Sequence, residues 1–159
     1  MGRHDAALGH LSEARGLGDG FPWLSAWSEV IQATVAVVQG RLDEARALLD
    51  EALQLSLVTH STPIAAMCLF VFARAALAEG DAQVAAELAG IADGLRRRLG
   101  HRAWPGLRRG EAELVAQLRE SLGPDRFSER LAAGARVSLR EVVTAVRKLN
   151  GDHITSGGA

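Results

Sequence analysis

A glycine followed by alanines five and twelve residues later occurs three times in the chain, at Gly2/Ala7/Ala14, Gly40/Ala45/Ala52 and Gly80/Ala85/Ala92. The glycines stand 38 and 40 residues apart. A period of that size belongs to stacked supersecondary units, each of which buries its apolar face on its neighbours. Glycine tolerates positive φ, so it can end one helix and turn the chain into the next. Two alanines seven residues apart lie on one face of that next helix and let a neighbour approach at the short end of the usual interaxial range. The pattern therefore predicts helical hairpins.

Composition agrees. The chain holds 28 alanines and 22 leucines in 159 residues, no tyrosine and 4 prolines, a vocabulary of strong helix formers. Hydrophobic residues make up 48% and charged residues 23%, which excludes a disordered chain as a whole. The one cysteine, Cys68, excludes an internal disulfide and any multi-cysteine metal site. No run of about 18 apolar residues and no signal peptide is recognisable, so the expected location is cytoplasmic with no membrane partner.

The stretch Gln39-Gly40-Arg41-Leu42-Asp43-Glu44-Ala45, continuing to Glu51-Ala52-Leu53-Gln54-Leu55, resembles the second half of a tetratricopeptide repeat. The run from Glu79-Gly80-Asp81 through Ala85 to Ala92 resembles it more loosely, and Ala33 and Ala73 fall where small residues are expected in each first helix. Glu29 stands where the family favours Trp and Gln32 where it favours Leu, and the period is near 40 rather than about 34. Longer units of this kind resemble the sensor arrays of large bacterial regulators, LuxR-type and related ATPase-containing activators. The segment from Leu122-Gly123-Pro124 to Val137-Ser138-Leu139 is similar to segments that close such arrays in actinobacterial relatives. The resemblance implies an all-α, right-handed superhelix of antiparallel hairpins with a non-repeat helical cap.

Read along the chain, residues 1–99 form the repeats, 100–151 the cap and 152–159 a flexible tail. Residues 3–16 read as the second helix of a unit whose first helix is missing, so a fragment of a longer regulator is expected. Helices are predicted from Pro22 to about Gln39, from Leu42 to Val58, from Ser61-Thr62-Pro63 to Ala78, and from Asp81 to about Leu99. The third is apolar almost all round and should be the most buried. Pro105 and Pro124 mark two further helix starts, and Ser138-x-x-Glu141 is a capping box for a last helix that Gly151 should stop.

No catalytic, metal or cofactor site is expected. His4, His10, His60, His101 and His153 lack metal-ligand spacing and read as surface residues. Cys68 sits in the most apolar helix and reads as a buried thiol. The pairs Asp43-Glu44 and Asp50-Glu51 read as solvated faces. Charge is unevenly spread: residues 1–95 carry 5 basic and 12 acidic residues, whereas residues 96–159 carry 13 basic and 7 acidic. Arg96, Arg97, Arg98, Arg102, Arg108 and Arg109 cluster around Trp104, an arrangement that could solvate a helix end, pair with acidic protein surface or meet phosphates.

Aligned with the family's concave face, Trp27, Val30, Thr34, Val37 and Val38 in one unit, and Met67, Phe70, Arg74, Leu77 and Ala78 in the next, become the candidate groove. The expected function is a non-catalytic interaction or sensor module of a bacterial signalling or transcriptional regulator. It would hold a protein, a peptide, attached effector domains or a second copy of itself on a helical-repeat surface. The alternatives are a nucleic-acid-associated protein using the Arg96–Arg109 cluster, or a small-molecule sensor with its pocket between the repeat helices and the cap. No complete helix-turn-helix is recognisable, so nucleic acid is not the expected partner of this chain alone.

Overall fold

The computed structural model describes residues 21–100 and 105–156, with residues 150 and 152–156 as backbone only. The repeat copy at Gly2/Ala7/Ala14, His4, His10, His101, Arg102, Trp104 and the side chain of His153 lie outside these residues. The described chain is all-α: α1 Pro22–Val38, α2 Leu42–Val58, α3 Thr62–Ala78, α4 Ala82–Arg98, α5 Arg108–Leu122, α6 Pro124–Ala135 and α7 Val142–Ser156.

The first four helices are each 17 residues long, about 25 Å at the usual rise per residue. The turns between them are copies of one another. A residue with left-handed φ stands at Gly40, His60, Gly80 and Gly100, one every twenty positions. At the first three turns the same pair of bonds closes the helix. Gly40, His60 and Gly80 donate their N–H groups to Val37, Leu57 and Leu77, while Arg41, Ser61 and Asp81 donate theirs to Ala36, Ser56 and Ala76. This is the Schellman closure, which satisfies otherwise orphaned carbonyls at a helix C-terminus. The sequence shows it at the glycines but hides it at His60, a β-carbon-bearing residue at φ 54°. Asp81 also caps α4, its carboxylate accepting from Val84 N at 2.9 Å. Ser61, at the corresponding position before α3, makes no such side-chain bond.

Short turns force antiparallel neighbours, and α1 packs on α2, α2 on α3, and α3 on α4. The first helices of the two hairpins, α1 and α3, also touch. Ala33, Ala45, Ala52, Ala73, Ala85 and Ala92 are all fully buried, so the recurring small residues lie between helices. In α3, 13 of 17 residues are buried, Cys68 among them.

The chain after Gly100 adds to this stack. Helix α5 lies against α3 and α4, and α6 returns to lie along α4. That last contact is backbone on backbone: a Cβ at Gly94 would stand 2.6 Å from the carbonyl oxygen of Ala135, and one at Gly134 would stand 2.9 Å from Glu87 C and Ile91 N. Gly90 faces Leu131 in the same way, 3.0 Å from its Cα. Arg98 ties off the end of α6, donating to the carbonyls of Ala135 and Val137 at 2.8 and 2.6 Å. Helix α5 begins at Arg108, three residues later than Pro105 suggests. Glu141 does accept from Ser138 N, yet α7 opens at Val142 and runs through Gly151 to Ser156 instead of stopping at the glycine. Among the described residues no helix is long and apolar enough to cross a membrane.

Candidate functional site

Where α1, α3 and α5 meet they leave a pocket of about 470 Å3, within the range of small-molecule sites. Its walls follow from helical spacing. Trp27, Val30, Ile31 and Thr34 recur on one face of α1, and Met67, Phe70 and Arg74 on one face of α3. The third wall is Leu107, Gly110, Glu111 and Leu114. Six of the sequence-derived groove residues line this pocket: Trp27, Val30, Thr34, Met67, Phe70 and Arg74. The other four, Val37, Val38, Leu77 and Ala78, line an adjoining cleft of about 260 Å3 that shares Arg74, Gly110 and Leu114 with the first. The contribution of α5 has no signal in the repeat pattern, because it comes from outside the repeats.

Polar groups in the pocket are few and mostly committed. The Thr34 hydroxyl donates to Val30 O at 2.8 Å. Both Glu111 oxygens accept from Arg96, at 2.7 Å each. Arg96 itself is buried, and its guanidinium lies 4.6 Å from the centre of the Phe70 ring. One arginine thus holds α5 through Glu111 while stacking on a pocket wall of α3. Bidentate pairing with a carboxylate and stacking on a ring are both properties of guanidinium that lysine lacks. Arg74 differs: it is exposed at the junction of pocket and cleft and makes no hydrogen bond or ion pair among the described residues.

The expected basic cluster is dispersed among protein partners. Arg96 is on Glu111, Arg97 on Asp93 at 3.0 Å, Arg98 on the carbonyls closing α6, and Arg109 on Glu113 at 2.9 Å. Arg108 opens α5. Arg96 thereby joins α4 to α5 and Arg98 joins α4 to the end of α6, while Arg97 and Arg109 pair within their own helices.

Two titratable groups away from the pocket are shifted by burial. Burial drives the Cys68 thiol up to about 12, against its hydrogen bonding with Ser56, so it stays protonated at neutral pH and is a poor nucleophile. Burial likewise raises Asp50, with Arg147 and Arg46 opposing; Asp50 is half-buried, in contrast to the solvated face expected of it. Among the described residues no group of three His, Cys, Asp or Glu side chains could hold a metal.

No family model matches the chain, and no curated protein or solved structure matches it.

Proposed function

We propose that the chain is a non-catalytic sensing module, a tetratricopeptide-like superhelical array whose pocket receives a compact, largely apolar ligand. The observation that carries this reading is the origin of the third wall. An occupant would touch α1 and α3 of the hairpins and, at the same time, α5, which Arg96 and Glu111 fasten to α4. A ligand with different contacts in two placements of α5 shifts the balance between them, which is what a sensor must do. The sequence resemblance to the arrays of bacterial LuxR-type regulators gives this shift a destination, an attached effector domain.

A second reading has its own support. Beyond Arg74 the cleft runs on past Leu77 to Val38, which is 66% exposed. An open apolar end of this kind suits a peptide segment or a second copy of the chain. Sedimentation across micromolar concentrations distinguishes self-association from binding of a small ligand.

The test uses Trp27, which lines the pocket. In a Trp23→Phe/Trp104→Phe background, titration with the neutral probe N-phenyl-1-naphthylamine should quench Trp27 saturably at one probe per chain. A leucine at position 110 points into the same space, where a Cβ meets only Arg74 Nη1 at 3.6 Å, so Gly110→Leu should fold and abolish the quenching. A linear, unsaturable response, the same with and without the plug, would refute the pocket as a binding site.

A further inference from the structure

We infer that the pocket selects amphiphilic anions, an apolar body carrying one carboxylate-like head, with Arg74 as the residue that reads the head. This inference rests on the pocket being a binding site and adds the chemistry of its ligand.

The charge balance of the lining carries it. Glu111 brings a negative charge to the wall, but both its oxygens are bonded to Arg96, so the pair is neutral to an occupant. Glu113 lines only the adjoining cleft, where one of its oxygens accepts from Arg109 at 2.9 Å. Thr34 has spent its hydroxyl proton on Val30 O. One full charge is left, the Arg74 guanidinium, with five N–H donors and no partner among the described residues. It stands at the border between the apolar chamber of Trp27, Met67 and Phe70 and the cleft leading outward. A ligand lying with its apolar body against those three side chains would bring its head to Arg74, within reach of solvent. A neutral ligand of the same shape fills the chamber but leaves the guanidinium unanswered, and a cationic one meets repulsion there.

The geometry also sets the size of the preference. Arg74 is exposed, so its pair with a ligand head is worth what a solvent-screened ion pair is worth, about fivefold in affinity. The apolar chamber supplies most of the binding and Arg74 supplies the discrimination.

Displacement of N-phenyl-1-naphthylamine from the Trp27-only protein tests this with three matched competitors: decanoate, decanol and decylammonium. Decanoate should displace the probe about fivefold more strongly than decanol, and decylammonium more weakly than either. In Arg74→Gln, the ratio of decanoate to decanol displacement should fall to about one. Raised salt should narrow the difference in the parent protein alone. Equal displacement by decanoate and decanol, or a preference that survives Arg74→Gln, overturns the assignment of Arg74 while leaving the pocket intact. If the probe itself fails to bind saturably, or Gly110→Leu leaves displacement unchanged, both readings fall.

Discussion

The contact between α4 and α6 makes a sharp prediction for Gly134→Ala. In an open helix this change is favourable, because alanine is the better helix former by about 1 kcal/mol. At Gly134 the new methyl group would stand 2.9 Å from Glu87 C and Ile91 N, with the Glu87 carbonyl oxygen closer still. These are backbone atoms of α4 and cannot swing aside as a side-chain end could. Ordinary contact begins near 3.4 Å, so the helices must part by at least about 0.5 Å to clear Glu87 C and Ile91 N, and a gap of about 0.5–1 Å forfeits a quarter to a half of the dispersion attraction across it. Overpacking at the upper end of its usual range, about 3 kcal/mol, less the propensity gain, leaves a net loss of about 2 kcal/mol. With a urea m-value of ~2 kcal/mol/M the unfolding midpoint should fall by about 1 M, and Tm by about 4–8 °C. Gly110→Ala is the control, because its Cβ meets only a guanidinium end at 3.6 Å; it should be neutral or gain up to about 1 kcal/mol. A Gly134→Ala protein as stable as the parent, or a pair of variants shifted in the same direction, would refute the close approach of the two helices.

Other perturbations have equally definite signs. His60→Gly relieves a left-handed residue at a turn whose three counterparts, Gly40, Gly80 and Gly100, are glycines, and should stabilise by about 1 kcal/mol in urea unfolding; a loss would show that His60 is kept for its contacts. Glu111→Gln leaves Arg96 buried without its counter-ion and should cost about 2–3 kcal/mol, whereas Arg96→Met combined with Glu111→Leu should cost less than either change alone implies. Double-mutant denaturation measures that coupling, and strict additivity would refute it. For Cys68 the sign follows from a folded value raised to about 12 against an ordinary 9.0. Above pH 9 the unfolded chain releases a proton that the native state keeps, so stability should decline between about pH 9 and 12 by up to about 1.4 kcal/mol per pH unit. Cys68→Ala should lack that slope, and identical pH profiles for the two proteins would contradict the burial of the thiol.

How much of this was legible in the sequence depended on whether the relevant spacing was local. Gly40, Ala45, Gly80 and Ala85 announce hairpins because a turn and the face of the next helix are fixed within a few residues. Trp27, Thr34, Phe70 and Arg74 fall on one wall for the same reason. Arg96 could not be placed this way. Its partner Glu111 lies fifteen residues on, across a turn whose path the sequence does not encode, so Arg96 looked like one member of a basic patch when it is a buried brace. The pocket wall of α5 was hidden for the same reason. Gly90, Gly94 and Gly134 were silent too, since a glycine within a helical run reads as a weak point until the partner helix is seen against it. At Gly151 local chemistry misled, because a stop signal needs more than a residue able to obey it.

The equal spacing of Gly40, His60, Gly80 and Gly100 has an evolutionary corollary. Because α1 to α4 have one length and the three bends between them one closure, the natural unit of genetic change is a block of twenty residues for a rod or forty for a pair. Duplicating or excising such a block keeps each surviving helix in phase with its neighbours. An insertion of any other size within a rod would rotate everything downstream by about 100° per residue, so length variation among descendants of this chain should come in whole blocks.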